Sequence, residues 1–363
     1  MSIQRVLISG GGTGGHIYPA IAIASALQEA NPSLEFLFVG AEGKMEMEKV
    51  PKAGFRIIGL PIVGINRQHM WKNLLFPIKL LRSLSKAFSI LKEFKPDLAI
   101  GVGGYASGPM LMAAYVKGIP FVIQEQNSFA GITNKLLSKK AQHIFVAYPG
   151  MEKFFPAEKI KLLGNPVRKD LIESKNKRAQ AAKFFGLDAD KSTVLVIGGS
   201  QGARSINLAI EMGLSKLEEA GVQLVWQTGI PFENQAKKSA GENPKLPSYV
   251  SAFIYEMDLA YAMADIVISR AGALSVSEIC LTGKASVLVP FPNASEDHQT
   301  ENALSLVRQH AALLVKDNEA KDVLIKTALE TLANKNLLDS LASASLSMGK
   351  PKAAQEIAAT LLQ

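Results

Sequence analysis

The chain has 363 residues, of which 48% are apolar and 20% charged, a globular composition that excludes a disordered, collagen-like or disulfide-scaffold protein. At roughly 150 residues per domain, that length predicts two domains, each with its own core. Lys and Arg number 40 against 32 Asp and Glu, a net charge of +8, which suggests an anionic partner without saying which.

The charge is localised. No carboxylate lies between Glu48 and Glu93, while that stretch holds nine basic residues: Lys49, Lys52, Arg56, Arg67, Lys72, Lys79, Arg82, Lys86 and Lys92. They exceed the whole excess, so the rest of the chain is close to neutral. The single cysteine, Cys280, excludes an internal disulfide and fits a reducing compartment. Residues 4–9 run straight into a glycine loop without a leader's apolar region, and no apolar run approaches the roughly 18 residues of a membrane span. A cytoplasmic location is expected.

In chain order, short β-branched runs at residues 6–9, 36–39, 56–60, 98–102, 121–124 and 144–147 alternate with longer helical stretches. A second series follows at 193–197, 223–227, 250–253, 266–269, 286–289 and 313–315. This alternation predicts an α/β protein of two doubly wound parallel sheets. Gly164-Asn165-Pro166 interrupts the pattern and sets the expected domains at 1–163 and 164–350, with a final helix at 351–363 that packs on either one.

The first strand ends in Gly10-Gly11-Gly12-Thr13-Gly14-Gly15-His16, ahead of a helix expected from near Pro19. Glycines let the backbone approach a ligand and present N–H groups to an anion at a helix start. Gly10, Gly12 and Gly15 match G-x-G-x-x-G, but no Lys-Ser/Thr follows, and Glu42 lies too far on to be a dinucleotide's ribose acid. His16 stands where open α/β sheets place ligands, as a general base or as a local cap. Further glycine loops are Gly101 to Pro109, including Gly103, Gly104 and Tyr105, and Gly198 to Arg204 at the matching place in the second series. Duplicated domains with facing loops imply a cleft for two anionic ligands.

The run Arg270 to Glu278 puts another helix start beside a strand end, suited to a pyrophosphate. Glu278 is placed to accept from ribose hydroxyls and Gln299 to meet a sugar. Asp188-Ala189-Asp190 has the form of a metal-binding pair but precedes the second domain's first strand and reads as a surface turn. No metal or cofactor is expected, and leaving-group charge falls to helix ends and side chains. The acid-free stretch interleaves Ile65, Trp71, Leu75 and Phe76 with Lys72, Lys79 and Arg82, the composition of an interfacial membrane site. Nucleic acid is disfavoured by the high apolar content.

Six motifs together carry a resemblance: Gly-Gly-Thr-Gly-Gly-His at 11–16, Gly-Gly-Tyr at 103–105, Glu-Gln-Asn at 125–127, Gly-Asn-Pro-Val-Arg at 164–168, Gly-Gly-Ser-Gln-Gly-Ala at 198–203 and Gly-Ala-Leu-Ser-Val-Ser-Glu at 272–278. In order across nearly the whole chain, they resemble the MurG family of glycosyltransferase family 28, bacterial N-acetylglucosaminyltransferases that convert lipid I to lipid II in peptidoglycan synthesis. The resemblance implies a GT-B fold of two Rossmann-like domains and a UDP-N-acetylglucosamine donor used without a required metal. It also implies a peripheral place on the cytoplasmic face of the bacterial inner membrane. Carried over by motif, the donor meets Arg168, Ser200, the backbone of Ile254, Ala273, Leu274, Ser275, Val276, Ser277, Glu278 and Gln299, with Thr13, Gly14, Gly15 and Asn127 from the first domain. The acceptor diphosphate meets Gly11, Gly12, Gly103, Gly104 and Tyr105. Gln124 departs from the pattern, since many members have His before Glu-Gln-Asn. That leaves His16 and Glu125 as candidate bases for an inverting transfer to the C4 hydroxyl of lipid-linked MurNAc. The alternatives are a UDP-N-acetylglucosamine 2-epimerase or another GT-B nucleotide-sugar enzyme, an NAD-dependent oxidoreductase and a non-catalytic membrane adaptor.

Overall fold

In the computed structural model, the described residues are 3–64, 76–199, 201–292, 294 and 297–363, without the side chains of Lys169 and Lys175. Ile65, Trp71, Lys72, Leu75 and Ser200 lie outside them. Two compact units form: unit 1 is Met1–Val167 with Pro351–Gln363, and unit 2 is Arg168–Lys350.

Among the described residues, unit 1 holds seven strands: β1 (Arg5–Ser9), β2 (Glu35–Ala41), β3 (Ile57–Leu60), β4 (Leu98–Gly101), β5 (Phe121–Glu125), β6 (Ile144–Val146) and β7 (Ile160–Leu162). They pair in parallel in the order β3-β2-β1-β4-β5-β6-β7. Consecutive residues of β1 serve opposite faces: Val6 and Ile8 enter one core and Leu7 the other. Helices therefore cover both sides, and the strand reads as an unbroken apolar run. The strand order reverses between β1 and β4, the place where doubly wound sheets bind ligands.

Unit 2 repeats the plan with β8 (Thr193–Ile197), β9 (Gln223–Gln227), β10 (Ser248–Ser251), β11 (Ile266–Ser269), β12 (Ala285–Leu288) and β13 (Leu313–Leu314), in the parallel order β10-β9-β8-β11-β12-β13. Its reversal lies between β8 and β11. The expected two doubly wound parallel sheets are what the chain forms.

Three details differ from the sequence reading. The first helix is Gly14–Ala30 and holds Pro19 inside it. Thr13 O accepts from the His16 and Ile17 N–H groups at 3.1 and 3.2 Å, so its first turn closes ahead of the proline, which there forfeits only one helix bond. Unit 1 runs to Val167 because Asn165, 3% exposed, is tied to the first sheet: it accepts from Gln124 Nε2 at 3.1 Å and donates to Gln126 O at 2.9 Å. The third difference is β7, absent from the sequence reading, a three-residue edge strand, Ile-Lys-Leu, with Lys161 and Leu162 both exposed and too short for its pattern to stand out. The last helix, Ala353–Leu362, lays Ile357, Ala358 and Leu361 into the core beside Ile17, Ile23 and Leu27 and so completes unit 1.

Candidate functional site

At the switch point of unit 1 the loops after β1 and β4 touch. Gly11 N–H donates to Gly103 O at 3.3 Å, and a Cβ on Gly104 would sit 2.2 Å from Gly11 O. Gly11, Gly103 and Gly104 have φ of 145°, 89° and 83°, a region that favours glycine. The Gly12 N–H is also taken, at 2.9 Å from Glu46 Oε2. Gly11 and Gly12 thus have no amide to spare for a diphosphate. The N–H groups that a helix start leaves without an internal partner belong to Gly14 and Gly15.

His16 lies in the first turn of that helix. Its Nδ1 is 3.1 Å from Gly11 O and 3.1 Å from Thr13 Oγ1. A carbonyl can only accept, so the hydrogen sits on Nδ1 and Nε2 is the basic nitrogen. The ring faces the loop after β4: a Cβ on Gly103 would be 3.0 Å from His16 Nε2 and 3.8 Å from Asn134 Nδ2.

Glu125, at the end of β5, is 2% exposed. Its Oε1 accepts from Asn127 N–H at 3.1 Å and Asn127 Nδ2 at 3.3 Å, and its Oε2 from Gly131 N–H at 3.0 Å and Asn134 Nδ2 at 2.8 Å. Four donors fill the carboxylate, which makes it the anchor of segment 125–134 and places Asn127. Gln124 is fully buried against Asn165 and Gln126, so position 124 offers this chain no base.

A pocket of about 320 Å³ opens beside the glycine loop, lined by Gly11, Gly12, Ala41, Lys44, Ile62, Val63, Gly64 and Tyr105. Tyr105 is half exposed and closes over Gly64. Lys44 and Glu46, which the sequence reading passed over, come from the turn and helix after β2, and nothing in their spacing marks them.

In unit 2 the loop after β8 turns at Gly199 and Gly202, with φ of 79° and 76°; a Cβ on Gly202 would meet Thr228 O at 2.2 Å. Gln227 spans the loops: its Nε2 donates to Gly199 O at 3.2 Å and its Oε1 accepts from Ile254 N–H at 3.0 Å. Ile254 keeps only its carbonyl for a base.

The helix Ala273–Thr282 begins after β11 with Gly272 as its cap. Val276 is core, 1% exposed, with its N–H on Gly272 O at 3.0 Å, and Ser277 Oγ donates to Ala273 O at 2.8 Å. The N–H groups of Ala273, Leu274 and Ser275 form the open helix start. One turn on, Glu278 Oε2 accepts from Tyr261 OH at 3.2 Å. Burial raises the Glu278 carboxyl above its ordinary pKa, against the pull of the Arg168 charge and the Tyr261 hydroxyl. Tyr261, also missed, is fully buried and pushed well up by desolvation and by Glu278.

Arg270 ties the neighbouring loops together. Its guanidinium donates to Val289 O at 3.0 Å, Pro290 O at 3.2 Å and Ser205 Oγ at 3.0 Å, pairs with Asp317 and lies 5.4 Å over the Phe291 ring. Gln299 Oε1 accepts from Phe291 N–H at 3.0 Å, leaving its NH2 for a ligand. Asp188 accepts from Asp190 N–H at 2.9 Å in a surface turn.

On unit 1's helix Phe76–Phe94, Phe76 packs on the core, while Ile78 and Leu81 are 54% and 67% exposed beside Lys79 and Arg82. Neither cation pairs with a carboxylate among the described residues, whereas Lys86 pairs with Glu42 at 2.8 Å and Lys52 with Glu48 at 2.7 Å. The helix Ser107–Val116 packs against it and exposes Met112, Tyr115 and Val116.

Residues 6–146 match the glycosyltransferase family 28 N-terminal domain and residues 193–357 its C-terminal domain. A Bacteroides fragilis protein named UDP-N-acetylglucosamine–N-acetylmuramyl-(pentapeptide) pyrophosphoryl-undecaprenol N-acetylglucosamine transferase is 53% identical over 99% of this chain and 95% of its own. A Parabacteroides distasonis protein of the same name is 54% identical over 91% and 90%. The crystal structure of Acinetobacter baumannii MurG superposes with a TM-score of 0.80 at 32% identity, covering 98% of this chain and 99% of that one. A UDP-GlcNAc 2-epimerase from Neisseria meningitidis shares the fold, with a TM-score of 0.70 at 17% identity, over 99% of this chain and 100% of that one. Matched in both halves, and at more than half identity along nearly its whole length, the chain belongs to glycosyltransferase family 28 and to the N-acetylglucosaminyltransferases within it.

Proposed function

We infer that the chain is the inverting glycosyltransferase that moves N-acetylglucosamine from UDP-GlcNAc to the C4 hydroxyl of undecaprenyl-pyrophosphoryl-MurNAc-pentapeptide, with His16 as its base. The observation that carries the assignment of the base is the Nδ1 contact to Gly11 O, which leaves Nε2 basic at the sheet's ligand-binding edge. His16 Nε2 takes the proton of the C4 hydroxyl as that oxygen bonds to the anomeric carbon. The bond from this carbon to the UDP oxygen breaks with its electron pair, giving a β-1,4 linkage and UDP.

Unit 2 holds the donor. The amides of Ala273, Leu274 and Ser275 take the pyrophosphate and its developing charge, where the helix dipole favours an anion. Glu278 accepts from the ribose, Arg168 and Ser200 meet the nucleotide and phosphates, the Ile254 carbonyl meets the uracil and the Gln299 NH2 a sugar hydroxyl. In unit 1, Gly14 and Gly15 offer amides to a phosphate and Thr13 its hydroxyl, with Asn127 held for the sugar by Glu125. Gly103, Gly104 and Tyr105 receive the acceptor, and Gly11 and Gly12 give that site its shape.

The face with Ile78, Leu81, Lys79 and Arg82, extended by Tyr115 and Val116, docks on an anionic bilayer at the cytoplasmic side, with Lys72, Trp71, Ile65 and Leu75 in the same stretch. Each cation near such a surface contributes about 1 kcal/mol. Replacing Lys72, Lys79 and Arg82 by Glu removes binding to anionic vesicles and leaves UDP affinity unchanged; unaltered vesicle binding refutes the docking face.

The experiment for the whole reading is UDP release with and without the lipid-linked acceptor. Release depends on the acceptor and falls about 10²-fold or more in His16→Ala. A full rate in that variant refutes the base. Conversion of UDP-GlcNAc without acceptor favours the epimerase reading instead.

A further inference from the structure

Glu46 is a buried acid without a role in the transfer as derived above. It opens the helix Glu46–Lys52, is 1% exposed, and pairs with no cation among the described residues. Both oxygens accept backbone hydrogens: Oε1 from Ala41 N–H and Oε2 from Gly12 N–H, each at 2.9 Å. The approach is closed to any other residue at position 11, where a Cβ would stand 2.2 Å from Glu46 Oε1.

The Gly12 N–H and the Gly11 C=O are the two ends of one trans peptide group, and they point in opposite directions. The N–H end is held by the Glu46 carboxylate at 2.9 Å, and the C=O end accepts from His16 Nδ1 at 3.1 Å. A carboxylate on the N–H polarises the peptide and makes its carbonyl the stronger acceptor, since linked hydrogen bonds in a dry setting reinforce one another. We propose that Glu46 is a positioning residue that acts on His16 through the Gly11–Gly12 peptide, fixing the Nδ1–H tautomer and stabilising the imidazolium formed when Nε2 takes the acceptor's proton. The effect on turnover rests on His16 being the base; the effect on the ring does not. A carboxylate set behind an imidazole Nδ1–H does this directly in hydrolytic triads; here one peptide group stands between them.

The other titratable groups around this end of unit 1 are Lys44 on the turn before the Glu46 helix, and Glu48, Lys49 and Lys52 along it, which pair with one another. Tyr18 lies on His16's own helix, Tyr105 follows β4, and Glu42 pairs with Lys86. Glu125 is enclosed by its four donors, and Lys352 and Glu356 belong to the final helix. None of these bonds the peptide that His16 touches.

The test is ¹⁵N NMR of the histidine-labelled full chain, with His16 assigned among the five histidines by its loss in His16→Gln. The neutral wild-type ring is the Nδ1–H tautomer. In Glu46→Gln, one negative charge is gone and the imidazolium is less stable, so the His16 pKa falls by roughly half a unit to one unit. The acidic limb of kcat/KM moves to lower pH by the same amount while the KM for UDP-GlcNAc holds. An Nε2–H tautomer in the wild type overturns the proposal without any variant, whether or not Glu46→Gln folds, and an unmoved pKa in Glu46→Gln overturns it as well. A shifted ring pKa with an unmoved rate profile supports the peptide link and removes His16 as the base, which separates this inference from the reading beneath it.

Discussion

Glu125→Gln separates the two candidate bases. The substitution keeps shape and volume but turns one acceptor oxygen into an NH2 group. Asn127 presents two donors to Oε1, and Gly131 N–H and Asn134 Nδ2 present two to Oε2. Whichever way the amide lies, two donors then face a donor. A buried hydrogen-bonding group left unpaired costs about 1–3 kcal/mol, and the surviving pair loses its charge assistance. Neither the Asn127 backbone N–H nor Asn134, 2% exposed, can turn away, so the loss comes to about 2–4 kcal/mol. At roughly 2–4 °C per kcal/mol for a unit of this size, unit 1 melts roughly 5–15 °C lower, read by circular dichroism, and UDP release falls with the placement of Asn127. A carboxylate serving only as the base predicts that turnover falls by 10²-fold or more while melting holds within about 1 °C, so the melting temperature decides between the two. That outcome would refute the anchoring role.

Three further outcomes follow from unit geometry. Because the Glu278 pKa is raised, its carboxyl protonates at higher pH than an ordinary glutamate and then accepts poorly from a ribose; UDP affinity weakens on mild acidification, binding releases protons in calorimetry across buffers, and Glu278→Gln flattens both. The same shift makes the ionised group a cost to folding above its folded pKa, so Glu278→Gln is the more stable chain at neutral pH, an advantage that shrinks as pH falls through that pKa, read by denaturant melts. Gly104→Ala needs φ of +83° and a Cβ 2.2 Å from Gly11 O; it costs about 2 kcal/mol or more and removes turnover, while titration calorimetry finds UDP affinity unchanged. Arg270→Lys cannot reproduce the fork that joins Val289, Pro290, Ser205 and Asp317; the KM for UDP-GlcNAc rises, and the chain loses about 3 kcal/mol, measured by urea unfolding.

What was legible in the sequence is what local chemistry dictates. Strands such as Thr193–Ile197 and Gln223–Gln227 stand where the apolar runs put them, because strands covered on both faces need unbroken apolar residues. The glycine loops declared themselves because close approach at Gly104 and Gly202 admits no side chain. Residues whose role is a hydrogen bond across the fold gave no such signal. Glu46 is 34 positions from Gly12, Asp317 is 47 from Arg270 and Tyr261 is 17 from Glu278, spacings that no local period encodes. The same gap explains why Glu125 stands in sequence as one of two candidate bases, while in the fold its oxygens accept from four donors. An acid beside a glycine loop at a strand end has the address of a catalytic group; only the partners of its two oxygens reveal which kind of acid it is. Glu46 and Glu125 are alike in this respect: each carboxylate accepts from two backbone N–H groups, Ala41 and Gly12 for Glu46, Asn127 and Gly131 for Glu125, and on the proposed mechanism proton transfer falls to His16 Nε2.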